Sequence, residues 1–121
     1  MEAALNFRLQ LLRDSGQITQ KMYEAVELFL NEVENDYKFK ITEDNAAMMV
    51  THFAVALSRI ENGNTVNKMD DLLLAQLMGA KGYNVLPQYL LVIENHMGFK
   101  IPEEEIGYIA AHFCLLMERE A

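Results

Sequence analysis

The sequence predicts an all-α fold, a compact helical bundle of about five core helices with a further helix at the N-terminus. Apolar residues recur at steps of three and four through most of the chain, which is the pattern of a helix with one buried face. No stretch shows the sustained strict alternation of a half-buried strand. Both prolines, Pro87 and Pro102, stand near expected helix starts, where a residue without an N–H loses no helical hydrogen bond.

The first half of the chain is predicted to form three helices. The first runs from about Ala3 to Arg13, and the second from about Thr19 to Asn35. The third begins after an N-cap at Thr42 and ends at the break Gly63-Asn64. Their expected buried faces are Leu5, Leu9 and Leu12 in the first; Met22, Ala25, Val26, Phe29 and Val33 in the second; and Ala46, Met49, Val50, Phe53, Leu57 and Ile60 in the third.

The second half is predicted to form three more helices. A short leucine-rich helix covers about Met69–Met78 and ends at Gly79–Gly82, and another covers about Asn84–His96. The last helix has Pro102 in its first turn, followed by the glutamates of residues 103–105, which favour the positive end of the helix dipole and are expected to be solvated. The expected buried faces of the last two helices are Leu86, Tyr89, Leu90 and Ile93 in the helix of about Asn84–His96, and Ile106, Ile109, Ala110, Phe113 and Leu116 or Met117 in the last helix.

Length and composition limit the classes of protein to which the chain can belong. Its 121 residues, 51% hydrophobic and 23% charged, suit one folded unit with a single core. We divide it into an N-terminal helical extension, residues 1–17, and a helical bundle, residues 18–121. Because 18 acidic residues outnumber 10 basic ones and give a formal charge of −8, direct binding of this chain to nucleic acid is not expected.

The expected location is the cytoplasm. The longest nearly apolar run, Ala46–Leu57, is too short to span a bilayer, so no membrane association is expected. The beginning of the chain lacks the basic and apolar regions of a secretion signal. The single cysteine, Cys114, has no partner within the chain for a disulfide, which fits a reducing compartment.

The chain contains an internal repeat. When it is shifted by 60 positions, Tyr23–Ile60 aligns without a gap on Tyr83–Glu120, and eleven of the 38 aligned residues are identical. The apolar stripes coincide as well. We interpret this as a helix-loop-helix unit used twice, with the two copies packed as antiparallel helix pairs around one core.

Packing explains most of the repeated residues but not the histidines and arginines. His52 and Arg59 are seven residues apart, about two helical turns, so they lie on one face, and His112 and Arg119 repeat this spacing. Glu105 lies two turns before His112. The histidines border the apolar stripes, and a purely structural role for them stays open.

The sequence around these histidines does not indicate a metal site or a catalytic site. Neither has a second His or Cys three or four residues away, so no metal site is expected. No phosphate-binding glycine loop and no nucleophile motif occurs, so we expect neither an enzyme nor a cofactor. A neutral imidazole can, however, accept a phosphoryl group, which adds about two negative charges. Arg59 and Arg119 are then candidate partners for the phosphate.

Two segments carry a family resemblance. In Met49–Arg59, the histidine is followed by a small residue four positions on and by an arginine seven positions on. In Pro102–Phe113, a proline and three glutamates lead to an aromatic-Ile-Ala-x-His core. Both segments resemble the histidine motifs of the PRD family, the phosphotransferase-system regulation domain, and the resemblance covers about Thr19 to Arg119.

The resemblance implies a fold, partners and site residues. Such domains are five-helix bundles, usually homodimers, whose motif histidines accept phosphate from the phosphocarrier protein HPr or from enzyme IIB components. Phosphorylation then changes the dimer and controls an attached antiterminator or activator. Carried over to this chain, it makes His52 and His112 the candidate phosphoacceptors, with Arg59 and Glu105 as supports of the site geometry.

The chain departs from the regulators of this family because it holds one copy of the domain and no effector module. It is either a fragment of a longer regulator or a free-standing member that acts through protein partners, such as a regulator protein; the initial Met1 favours the free-standing member, which we expect. The leading hypothesis is a phosphorylation-responsive regulatory module of the sugar phosphotransferase system. The alternative is a structural interaction or dimerisation domain that is not phosphorylated. A small metal-binding protein is a third, weaker possibility.

Overall fold

The computed structural model describes residues 1–64 and 66–121, which form six α-helices and no strand. The helices are α1 (Ala3–Asp14), α2 (Gln20–Tyr37), α3 (Glu43–Glu61), α4 (Asp71–Met78), α5 (Leu86–Met97) and α6 (Glu103–Glu120). The all-α prediction is therefore confirmed, and all six predicted helices are present.

Several helix ends differ from the prediction because of their caps. α2 continues to Tyr37 because Lys38 adopts the left-handed conformation, with φ 60°, and ends the helix there. α5 begins at Leu86 instead of about residue 84, after a turn in which Gly82 has φ 95°. Pro102 is the N-cap of α6 rather than part of its first turn.

Two turns of the same construction connect the helices of each repeat. The Glu34 carboxylate accepts a hydrogen bond from the backbone N–H of Ile41 at 2.8 Å, and Glu94 accepts one from Ile101 at 2.7 Å. Both isoleucines are buried. Each carboxylate thus ties the end of one helix to the residue that leads into the next. This shared contact explains why the Glu34/Glu94 pair and the Ile41/Ile101 pair are identical in the repeat.

The two copies of the repeat pack on each other helix by helix. α2 packs on α5, and α3 packs on α6, while α1 and α4 cover α3 and α6. The centre of the core is an aromatic cluster formed by Phe29, Phe53 and their repeat counterparts Tyr89 and Phe113. Ring centroids lie 4.8 Å apart between Phe29 and Phe53, and 6.0 Å apart between Tyr89 and Phe113. The core therefore belongs to both copies at once, as the repeat predicts.

The predicted extension contributes to the same core. Leu5 and Leu9 of α1 are fully buried, and α1 packs against α3 and α2. The division at residue 17 stays a prediction. Among the residues that the structure describes, no helix has both the length and the hydropathy that crossing a membrane requires.

Candidate functional site

The register of α3 against α6 brings the repeated histidines together. His52 faces His112, and Arg59 of α3 reaches Glu105 of α6. A step of seven residues forward in α3 thus corresponds to a step of seven backward in α6, so the two helices are antiparallel. The imidazole rings of His52 and His112 are stacked, with centroids 5.0 Å apart and planes inclined by 16°.

The two imidazoles differ in exposure but share one property. His52 is exposed and His112 is half-buried. Within the described ranges, no hydrogen bond or ion pair involves a ring nitrogen of either residue, so no protein group there occupies these nitrogens. Burial, and to a lesser extent the neighbouring His52, lower the pKa of His112 below its usual value. The charged form of His112 is therefore disfavoured.

Next to the histidines lies an ion pair that is partly closed off from water. Arg59 donates from Nε to Glu105 Oε2 and from Nη2 to Glu105 Oε1, both at 2.8 Å. The Glu105 side chain is only 3% exposed, whereas that of Arg59 is 31% exposed. This bidentate pair with Glu105 raises the pKa of Arg59.

The burial of Glu105 corrects one expectation. Of the three glutamates at the start of α6, two are exposed as predicted, but Glu105 is the buried charged residue of this segment. Its side chain points toward α3 because the antiparallel register places it opposite Arg59. A single helix considered alone does not contain this information.

A pocket of about 460 Å³ opens beside the stacked rings. Its lining combines the two histidines and the ion pair with apolar side chains: Met49, His52, Phe53, Ala56, Arg59, Val66, Asn67, Glu105, Tyr108, Ile109, Ala111 and His112. One end is covered by the segment that precedes α4. There the Tyr108 hydroxyl donates to the Asn67 carbonyl at 2.8 Å, and the absence of a side chain at Gly107 leaves room for Met69.

A second, smaller groove lies on the other side of His112. It is lined by Asp44, Asn45, Met49, His112, Arg119 and their neighbours, with a volume of about 170 Å³. Six of its ten lining residues are repeat counterparts of residues in the pocket; for example, Arg119 corresponds to Arg59, and Asn45 corresponds to Glu105. Asn45 carries no charge, and its side-chain amide is used at the start of α3, where the oxygen accepts from the Thr42 N–H and the nitrogen donates to the Lys40 carbonyl. The second groove therefore has no equivalent of the buried ion pair.

The structure thus places four of the five predicted site residues, His52, His112, Arg59 and Glu105, around one pocket. Arg119 is exposed and borders His112 from the second groove. The functional roles of all five stay predictions. The face-to-face stacking of the histidines was not predicted, although the ungapped repeat with a histidine in each copy contained a signal for it.

Neither a metal-binding cluster nor an exposed cysteine occurs in the described part of the chain. No three His, Cys, Asp or Glu side chains come together there in a way that could hold a metal ion. Cys114 is buried, and this burial raises the pKa of its thiol. The site consists of two imidazoles, the Arg59–Glu105 ion pair and mostly apolar lining residues.

Comparison with known proteins gives two similarities. The family model of the PRD domain matches residues 11–114. The uncharacterized protein YhfY of Escherichia coli (strain K12) is 26% identical over 105 residues, which cover 87% of this chain and 88% of that protein. The search of solved structures finds no significant match.

Proposed function

Because the chain belongs to the PRD domain family, we propose that it is a regulatory domain of the bacterial sugar phosphotransferase system and accepts phosphate on His52, His112 or both. The observation that carries this proposal is the stacked histidine pair at the pocket, with both rings free of hydrogen bonds among the described residues. In this role the histidine pair receives the phosphoryl group as a substrate, and the domain itself catalyses no reaction.

The chemistry of the pair suits an acceptor. A neutral imidazole offers a nitrogen lone pair to phosphorus, and burial of His112 lowers its pKa and so favours the neutral form. His52 is exposed at the mouth of the pocket, where a protein donor can approach it. The donors that fit this chemistry are the phosphocarrier protein HPr and enzyme IIB components, which carry their phosphoryl group on a side chain.

Phosphorylation would act by changing the surface around the pair. Large apolar side chains surround it: Met48 and Leu115 line the second groove and are 60% and 59% exposed, and Tyr108 lines the pocket. A phosphoryl group adds about two negative charges beside this apolar surface. Association through the surface, in a homodimer or with a transcriptional regulator protein, would then depend on phosphorylation. The acidic chain acts on such a partner in the cytoplasm and has no direct contact with nucleic acid.

The test is phosphorylation in solution. The chain is incubated with phosphorylated HPr and, separately, with a phosphorylated enzyme IIB component, and acid-labile phosphate on the chain is measured. We expect phosphate on the natural chain and none on the double variant His52→Ala/His112→Ala. His96→Ala is the matched control, because His96 lies apart from the pair and contacts Glu24 at 3.1 Å; this variant should keep the phosphate. Phosphate that survives in the double variant would contradict the proposal.

A structural interaction domain is the second candidate, and the exposed apolar residues around the histidines favour it. In that case the chain takes up no phosphate, and the double variant binds its partner as the natural chain does. Only its free energy of unfolding would decrease, by about 1–3 kcal/mol, because the packing of the stacked and partly buried rings is lost. Partner binding and phosphate uptake by the same variants therefore separate the two candidates.

A further inference from the structure

The stacking of His52 on His112 has a consequence for stoichiometry. We propose that the pair holds one phosphoryl group at a time: either ring can accept it, and the first group prevents the second. This inference rests on the proposed function, since it concerns the same two acceptors. It makes the pair a single site with two alternative positions instead of two independent sites.

The first argument is distance. The ring centroids are 5.0 Å apart and the ring planes are nearly parallel. A phosphoryl group bonded to a ring nitrogen lies in the plane of that ring, one bond beyond its edge. Two such groups would therefore be separated by no more than about one Debye length, roughly 8 Å at physiological ionic strength, so salt would screen their repulsion only weakly.

The second argument is the lack of compensating charge. The charged side chains that line the pocket and the second groove are Arg59, Glu105, Arg119 and Asp44, so their formal charges cancel. Arg59 is moreover already committed to both oxygens of Glu105. Only Arg119, which is exposed, remains to interact with one phosphoryl group. Nothing in either lining offsets the charge of a second one.

The transfer itself leaves the neighbouring ring unchanged. For a donor that carries its phosphoryl group on a histidine, the lone pair of an acceptor imidazole nitrogen attacks phosphorus, the bond between phosphorus and the donor's ring nitrogen breaks, and its electron pair returns to the donor ring. The acceptor ring releases the proton from its other nitrogen, and the donor ring takes one up. A second transfer would bring another phosphoryl dianion against the first, so the second step is opposed before any bond forms.

The stoichiometry can be measured by intact mass at alkaline pH, where phosphohistidine persists, after reaction with excess phosphorylated HPr. We expect one phosphoryl group on the natural chain, and one each on His52→Ala and on His112→Ala. Two groups on the natural chain would overturn the inference but leave the proposed function intact. If one single variant took up none, the natural chain would have one acceptor only, and mutual exclusion would also be wrong. No uptake by any form would reject the proposed function itself.

A matched pair of variants tests whether charge is the cause. His112→Asp places a permanent negative charge beside His52, whereas His112→Asn has nearly the same shape without the charge. We expect the rate of His52 phosphorylation to be about tenfold lower in His112→Asp than in His112→Asn, as repulsion over this distance in a partly aqueous site predicts. Equal rates in the two variants would show that repulsion does not limit the second transfer, and would overturn the inference.

Discussion

Replacement of Arg59 by Met should destabilise the fold far more than loss of an ordinary surface arginine. Met has a similar length and is apolar, so the change removes the charge and the hydrogen bonds while keeping most of the packing. Glu105, whose side chain is 3% exposed, then stays buried as an unpaired carboxylate. Breaking a buried ion pair by removing one partner costs about 3–5 kcal/mol. Because Arg59 is 31% exposed and its removal admits some water, we expect the lower end, about 3 kcal/mol.

The measurement is urea unfolding followed by far-ultraviolet circular dichroism, with a thermal melt as a second readout. For a chain of this size, a loss of about 3 kcal/mol corresponds to a decrease in Tm of roughly 10 °C. Arg8→Met is the matched control. Arg8 also binds a carboxylate, Glu43, in a bidentate manner, but both side chains are about one-third exposed. The control should therefore lose less than about 1 kcal/mol.

A double variant separates the buried charge from the lost contact. In Arg59→Met/Glu105→Leu both charges are gone, and replacement of a buried pair by apolar residues of similar volume is often nearly neutral. We expect this variant to regain most of the stability lost in Arg59→Met. Equal and small losses in Arg59→Met and Arg8→Met would refute the reasoning, because they would mean that the burial of Glu105 has no energetic consequence.

Three further predictions concern other parts of the fold. The pKa of His112 is lowered in the folded chain, so as the pH falls below about 6.5 the unfolded chain takes up a proton first and the free energy of unfolding decreases; His112→Gln should reduce this pH dependence. Gly82→Ala should cost about 1–2 kcal/mol more than Gly16→Ala in chemical unfolding, since both glycines have positive φ but a Cβ at Gly82 would lie 2.9 Å from Met117 Cγ. Phe29→Ala should cost about 3–5 kcal/mol in the same assay, because Phe29 is fully buried at the centre of the aromatic cluster.

Each of these predictions has an outcome that would contradict it. A slope of stability against pH that is the same with and without His112 would mean that this imidazole is solvated in the folded chain. Equal costs at Gly82 and Gly16 would mean that the contact with α6 relaxes freely. If Phe29→Ala lowered the free energy of unfolding by only about 1 kcal/mol, Phe29 would not be a central residue of the core.

The repeat made the tertiary arrangement predictable to an unusual degree. Periodicity located every helix, and the ungapped alignment of the two copies predicted that they share one core, as Phe29 and its counterpart Tyr89 do. The identical Glu34 and Glu94 have a physical role in that alignment, since each closes the same turn. Local pattern and duplication together thus determine which helices are neighbours.

The geometry of the site could not be predicted from the pattern of any one helix. The stacking of His52 on His112 and the burial of Glu105 both follow from the register of α3 against α6. That register results from packing between residues that are far apart in the chain, and the periodicity within one helix does not predict it. Helix ends were less accurate where a cap outweighed propensity, as at Lys38.

The way the copies share their core also bears on the order in which the chain can fold. α1, α2 and α3 contact one another, so these helices have their mutual partners as soon as they leave the ribosome. α5, by contrast, packs chiefly on α2, and α6 depends on α3 as well as on α4. The later-synthesised half completes the shared core by packing onto α2 and α3, so the histidine pair forms only once α6 lies against α3.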